Sequence, residues 1–386
     1  MFSDEIIKKF EKLPTPFYYY DTALLKNTLE KIKKITAANN FHVHYALKAN
    51  SNSKLLQIIR SNGLGADCVS GNEVKRAVET GFTSENIVFA GVGKSDAEIN
   101  YALEKNIFCF NVESIQELEV MNELAKKQNK VASVALRINP NVDAYTHKYI
   151  TTGLEENKFG INPYEFDSVI SKLKNLPNLK LIGLHFHIGS QISSLSPFKK
   201  LCQRVNEINK WFLNKGYDLP HLNVGGGLGV NYQEPDNESI VDFEAFFNVF
   251  KDFLKPRNNQ KVYFELGRAI TAQCGSLISR VIIIKKAINT NFAILDAGMT
   301  ELIRPALYQA YHKIENLTVI SEIKNYKYDV VGPICESSDC FGKAVMLPET
   351  FRGDLIAIRS AGAYGEVMAS QYNLRDKAPA LYSDEL

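Results

Sequence analysis

Long hydrophobic runs are missing from this chain. Its purely apolar stretches are as short as VIII at residues 281–284, whereas a membrane-spanning helix needs about 20 consecutive apolar residues. Charge of one sign never accumulates either: 45 Lys and Arg stand against 43 Asp and Glu, giving a net charge of +2 with no block of like charges. That balance leaves no electrostatic footprint for nucleic acid or for an anionic membrane, so any partner must be recognised locally. Cysteine is scarce, and Cys68, Cys109, Cys202, Cys274, Cys335 and Cys340 never fall in a CxxC spacing. The spacing removes the usual signatures of structural zinc or a redox pair, and reduced, mostly buried thiols are expected. The opening MFSDEIIKKFEKL has no apolar core and places acids before its lysines. It reads as neither a secretory signal nor a transit peptide, and a cytoplasmic protein is expected. No repeat of fixed period and no low-complexity linker interrupts the chain.

What is present is the ordinary balance of a soluble globular protein, 45% hydrophobic and 23% charged. A length of 386 residues suggests two domains, perhaps three. Short apolar or β-branched runs are each followed by a helical pattern. HVHYALK (42–48) precedes SKLLQIIRSNG, GADCVS (65–70) precedes GNEVKRAVETG, NIVFAG (86–91) precedes SDAEINYALEKN, and IFCFNV (107–112) precedes SIQELEVMNELAKK. A serine at or just before each helical stretch is a candidate N-cap. VASVALRINP, IGLHFHIGSQ, HLNVGGGLGV and VYFELGR continue the series to about eight strands by Arg268. That is the count and length of a (β/α)8 TIM-type barrel, with a doubly wound open sheet as the competing architecture. Beyond Arg268 the pattern becomes strand after strand: CGSLISRVIIIKKAIN, NFAILDAG, NLTVISE, KYDVVGPIC, KAVMLPE and DLIAIRSAGAYG. The expected organisation is therefore α/β, with a barrel over 22–268 and a C-terminal all-β domain over 269–386. That β domain would also take up 1–21 through the early strand FYYYD.

In such a barrel the reactive groups lie at the C-terminal strand ends, and a phosphate site is often built after strands seven and eight. The seventh candidate ends in Gly225, Gly226 and Gly227 and the eighth in Glu265-Leu266-Gly267-Arg268. Glycines there let backbone N–H groups approach a phosphate, and an arginine adds a charged fork. Lys48, ending an otherwise apolar strand, gains a role from that placement. A lysine across from a phosphate site is what a pyridoxal phosphate enzyme needs for its Schiff base, and Glu265 is the candidate carboxylate for the pyridine nitrogen. His185 and His187 lie two apart on a strand, a spacing a metal could also use, but no third ligand stands out and no metal is expected. An imidazole there could instead stack on a flat ring, with Ser190 bonding the phosphate. His42 and His44 read as ordinary strand residues.

These residues resemble the alanine racemase-like, fold-type III pyridoxal-phosphate decarboxylases. The motifs that carry the resemblance are YALKANSN with Lys48, HFHIGSQ with His187, GGGLG, and ELGR with Glu265 and Arg268. It covers nearly the whole chain, through RPALYQAYH (304–312), GPICESSDCF (332–341) and GAYGEVMASQYN (362–373). THKYITTGLEENKFGI (146–161) points to the branch acting on meso-diaminopimelate rather than on ornithine or arginine. The resemblance implies pyridoxal 5'-phosphate as cofactor and decarboxylation of meso-2,6-diaminopimelate to L-lysine and CO2, the last step of lysine biosynthesis. It implies that Lys48 carries the cofactor, His187 stacks on its ring and Glu265 meets the pyridine nitrogen. Ser190, Gly225, Gly226, Gly227, Gly267, Arg268 and Tyr364 would surround the phosphate, with Asp67 and Arg137 in support. Cys335 would supply the proton that replaces CO2, and Glu336, Arg268, Arg304, Tyr308 and Tyr364 would bind substrate. The resemblance also implies a homodimer with active sites shared across the interface, Cys335 and Glu336 reaching the neighbouring subunit's site. Two departures stand out: the family's EPGR reads ELGR here, and Glu366 has no assigned role.

Specificity should rest on charge. One methylene discriminates by only about 1–3 kcal/mol, whereas leaving a polar site group unpaired rejects a competitor by roughly 10⁴-fold. Arg304 is the natural partner of the substrate's distal carboxylate and Glu336 of its distal ammonium. A sister decarboxylase acting on another diamine substrate and a non-catalytic pyridoxal-phosphate protein remain as alternatives. The β domain with Cys335 and Glu336 argues against the second.

Overall fold

The computed structural model describes residues 2–143, 158–319 and 325–386. The chain divides into two compact units: Leu29–Gly229 with Asp242–Gly267, and Met1–Thr28 with Val230–Val241 and Arg268–Leu386. Residues 22–28 and Val230–Val241, placed within the barrel stretch by sequence, cluster here with the β unit.

In the first unit eight parallel strands close into a barrel: Phe41–Ala46, Gly65–Cys68, Ile87–Phe89, Cys109–Val112, Ala132–Ile138, Leu179–Phe186, His221–Asn223 and Lys261–Leu266. The first strand pairs with the last in the register His44↔Glu265 and Tyr45↔Leu266, which an open sheet would not do. The apolar, β-branched runs form strands here because both faces are covered, as in parallel sheets generally. Serines cap three of the four early helices: Ser70, Ser95 and Ser114 each accept from a backbone N–H three residues on, and Ser95 forms a capping box with Glu98. The fourth, Ser53–Ser61, is capped by Asn52 instead of Ser53. Outside the barrel, FEAFFNVF places Phe243, Phe246, Phe247 and Phe250 on one stripe of the helix Phe243–Phe253. Phe246, Phe247 and Phe250 meet Phe264 edge-on at ring distances of 4.9–5.9 Å. Each such buried ring contributes about 1.5–3 kcal/mol.

The N-terminal end of the barrel interior is aromatic. Tyr263 packs against His42, His44 and His221 at 4.9, 5.3 and 4.3 Å. Burial pushes His44 down to about 4 and His221 to about 3, so these imidazoles are neutral packing groups near pH 7.

The second unit is built on an eight-stranded sheet. Gly275–Lys286 is its longest strand and pairs antiparallel with both Leu355–Ile358 and Asn291–Leu295. The early strand Phe17–Tyr20 joins it in the register Phe17↔Ile278. Ala380–Tyr382 adds to Phe17–Tyr20 in parallel, a pairing no sequence signal marks. Within NLTVISE the strand is displaced: Ile314–Asn316 ends where that run begins, and residues 320–324 lie outside the described residues. Among the described residues no helix is long and apolar enough to cross a membrane.

Candidate active site

Lys48 lies in the single 3-10 turn Leu47–Ala49 that follows the first barrel strand. The last barrel strand brings up Glu265, which is 6% exposed and gripped by three donors. Asn223 donates to Oε1 at 2.7 Å, Asn111 to the same oxygen at 3.3 Å, and His185 Nε2 to Oε2 at 3.0 Å. A carboxylate offers only acceptors, so His185 must carry its proton on Nε2. Burial would raise the pKa of Glu265, but His185 and the charge of Lys48 outweigh it and hold the carboxyl well below the usual range. Asp67 behaves oppositely. Its two oxygens are buried without a hydrogen-bond partner, and burial followed by the charge of Glu265 pushes it well up, against Lys48. Of the two carboxyls, Glu265 is thus held toward its ionised form and Asp67 toward its protonated one.

His187 follows the strand Leu179–Phe186, and its Nδ1 accepts the Gly226 N–H at 3.4 Å. Burial, then Lys48 and Arg137, lower it well below the ordinary histidine value, so it is neutral. The glycine loop is shaped by close approach. A Cβ on Gly226 would lie 1.7 Å from the Glu265 carbonyl oxygen, and one on Gly225, at φ 72°, would lie 2.2 Å from that of Phe186. Gly225 N–H is bonded to Asn223 Oδ1 at 2.9 Å and Gly226 N–H to His187. In this structure both N–H groups are bonded within the site. Gly227 remains available at φ 109°, in a loop clasped to the one carrying Ser190 through Ile192 N–H to the Gly227 carbonyl. Gly267 admits Ala46 and Ala49, whose Cβ atoms would be 3.1 and 2.9 Å from an added Cβ. Leu266, at the family's proline position, is buried in the barrel wall. Arg137 is paired with Glu113 at 2.7 Å and covers the Phe159 ring at 4.6 Å.

The remaining sequence candidates belong to the β unit. Arg268 opens the short helix Arg268–Thr271, donates to the Tyr232 hydroxyl at 2.6 Å and lies 4.7 Å over the Tyr364 ring. Tyr364 is held at φ 57°, a strained conformation for an aromatic residue, next to a Gly362 whose added Cβ would meet the Thr271 carbonyl at 2.0 Å. Arg304 starts the helix Arg304–Tyr308 and stacks on the other tyrosine, 4.8 Å from the Tyr232 ring. Cys335 and Glu336 are exposed. Their loop is closed from within by Asp339, which accepts from Ile334 N–H at 2.7 Å and Met299 N–H at 2.6 Å. Tyr372 donates to Glu336 at 2.7 Å and Asn373 accepts from Cys335 N–H at 3.2 Å. Glu366 accepts from the Tyr20 hydroxyl at 2.6 Å, which gives it a structural partner. Among the described residues no cluster of His, Cys, Asp and Glu is arranged to hold a metal ion. The substrate-marking stretch 146–161 lies largely outside the described residues.

Sequence reasoning missed Asn111, Glu113, Asn223, Tyr232 and His312. The asparagines carried a signal, because asparagine is depleted from strand interiors and a buried one needs a partner.

A family model described as "Pyridoxal-dependent decarboxylase, pyridoxal binding domain" matches residues 23–272. The chain is 58% identical over 381 residues to the diaminopimelate decarboxylase of Bacteroides thetaiotaomicron, covering 98% of each. It matches the crystal structure of diaminopimelate decarboxylase from Helicobacter pylori complexed with L-lysine at a TM-score of 0.91 and 42% identity, covering 98% of this chain and 94% of that one. The crystal structure of diaminopimelate decarboxylase from "m. jannaschii" in co-complex with L-lysine aligns at a TM-score of 0.87 and 34% identity over 98% of this chain and 90% of that one. The chain belongs to the pyridoxal-dependent decarboxylases and, within them, to the diaminopimelate decarboxylase family.

Proposed function

We propose that this protein decarboxylates meso-2,6-diaminopimelate to L-lysine and CO2 with pyridoxal 5'-phosphate as cofactor. The observation that carries the reading is Glu265, a buried carboxylate kept ionised by three donors in the barrel that bears Lys48. The residues present suit the cofactor: a fixed anion for a pyridinium nitrogen, a neutral imidazole, a lysine at a strand end and a glycine loop with no room for side chains. The bound cofactor supplies an electron sink for the pair left at Cα when CO2 departs.

Lys48 would hold the cofactor, and Glu265 would meet its pyridine nitrogen. Ser190, Gly227, Arg268 and Tyr364 would hold the phosphate, with Asp67 and Arg137 as supporting residues in the barrel mouth. Arg304, buried and without a carboxylate partner among the described residues, receives the distal carboxylate of the substrate. Tyr308 helps to line the substrate's place, and Glu336 takes the distal ammonium. Cys335 delivers the proton to Cα. The exposure of Cys335 and Glu336 supports a homodimer in which they serve the partner's site, and the protein works in the cytoplasm.

The test is CO2 release from meso-diaminopimelate by wild type and by Lys48→Ala. The variant should lose about 10³-fold or more, as removal of a covalent group does. A wild type that binds cofactor yet releases no CO2 would leave the fold standing and remove the function.

A further inference from the structure

We propose that His312 is a positioning residue for substrate recognition: its imidazole holds the Arg304 guanidinium in the orientation that receives the substrate's distal carboxylate. The inference rests on the function proposed above and adds a residue to it.

Arg304 Nη1 lies 2.7 Å from His312 Nε2. A guanidinium has donors only, so Nε2 accepts and the ring proton sits on Nδ1. That nitrogen lies 2.8 Å from the Arg359 carbonyl oxygen and donates to it. Both ring nitrogens are thereby used in one tautomer. Burial, reinforced by the charges of Arg304 and Arg268 and opposed by the Arg359 carbonyl, brings His312 down to about 3, so the acceptor lone pair is kept near neutral pH. The far end of the bridge is anchored as well. Arg359 N–H donates to the Lys313 carbonyl at 2.9 Å, and its guanidinium pairs with Asp236 at 2.8 Å and Glu315 at 2.7 Å.

The Tyr232 ring completes the frame, lying 4.8 Å beneath the Arg304 guanidinium and edge-on to His312 at 5.1 Å. The identity of the acceptor matters. A carboxylate in the place of His312 would neutralise Arg304 and compete with any incoming anion. A neutral imidazole occupies one N–H, fixes the plane of the fork and leaves the positive charge for the ligand. At 5% exposure, a guanidinium partnered only by neutral groups among the described residues is a costly arrangement that a bound carboxylate would relieve.

The test uses cofactor-loaded enzyme with meso-diaminopimelate as substrate and with L-lysine and 1,5-diaminopentane as competing ligands. L-lysine keeps the carboxylate in question, and the diamine lacks it. His312→Phe should raise KM about tenfold, the scale of one hydrogen bond to a charged group, with kcat within about threefold. The inhibition constant of L-lysine should rise by the same factor, while that of the diamine stays at the wild-type value. His312→Gln can accept from Arg304 and donate to the Arg359 carbonyl, and should restore most of the loss. His312→Asn, too short to bridge both, should behave like His312→Phe and serves if the latter does not fold. An unchanged KM, or equal weakening of lysine and diamine, would overturn the role of His312. A wild type that does not turn over meso-diaminopimelate would instead overturn the function on which it rests.

Discussion

Buried Glu265 in the barrel unit and buried Arg304 in the β unit are treated in opposite ways. In the barrel the buried charges Glu265, Arg137 and Lys94 meet partners already in place. Glu265 is gripped by His185, Asn111 and Asn223, Arg137 by Glu113, and Lys94 by Glu117 at 2.6 Å. In the β unit Arg304 is buried against a tyrosine face and a neutral imidazole, with no carboxylate pairing it among the described residues. Since an uncompensated buried charge costs several kcal/mol, the contrast separates two tasks. Under the proposed function, the barrel's settled charges would set the electronics of a cofactor, while Arg304 would stay ready for an anion that comes and goes.

Arg304→Ala tests the receptive half and should have the largest effect of the three substitutions considered next. Truncating one side of a buried charge pair costs about 2–5 kcal/mol, so kcat/KM for meso-diaminopimelate should fall by roughly 10²- to 10³-fold, mostly through KM. Cofactor content, read from visible absorbance, should match wild type. Cofactor loss in this variant would collapse the division, because Arg304 would then belong to the pre-settled machinery.

Glu265→Gln tests the other half. It presents an amide N–H₂ to donors that already point at that position, and it removes the anion. A loss of about 10²-fold in kcat is expected, the scale for removing one preorganised electrostatic partner, with KM changed by only a few-fold. A KM effect as large as that of Arg304→Ala would erase the difference between the two halves.

How much of this was legible in the sequence follows the same contrast. The barrel could be read strand by strand, because parallel strands covered on both faces are continuous apolar runs and their ends carry the glycines, Lys48 and Glu265. The β unit was read as strands without their order. Short strands paired across long separations, such as Phe17–Tyr20 with Gly275–Lys286, leave no local signature. Within the candidate site, the residues proposed to act directly were marked by type, as Lys48, Glu265 and Arg304 were. Residues that hold them were not: Tyr232 reaches the Arg304 guanidinium from 72 positions away, by an excursion of the chain into the β unit that no composition shift announces. The internal bonds of Gly225 and Gly226 were not legible either, because they depend on neighbours such as His187 that only the fold supplies.

Asp67 marks the limit of the settled half and carries the smallest expected effect, one on stability. Its carboxyl is buried with neither oxygen hydrogen-bonded, and burial together with the charge of Glu265 raises its pKa well above the unfolded 3.8. The sign follows from linkage. The folded protein keeps a proton on Asp67 that the unfolded chain releases, so this residue's contribution is full below the unfolded value and is lost as pH rises toward the folded one. Asp67→Asn keeps the shape and removes the titration. In protein stripped of cofactor, the melting temperature of the variant relative to wild type should therefore increase from about pH 5 to about pH 8. A difference that stays flat or shrinks over that range would mean that Asp67 is ionised in the fold, and that the barrel holds an unsettled charge of its own.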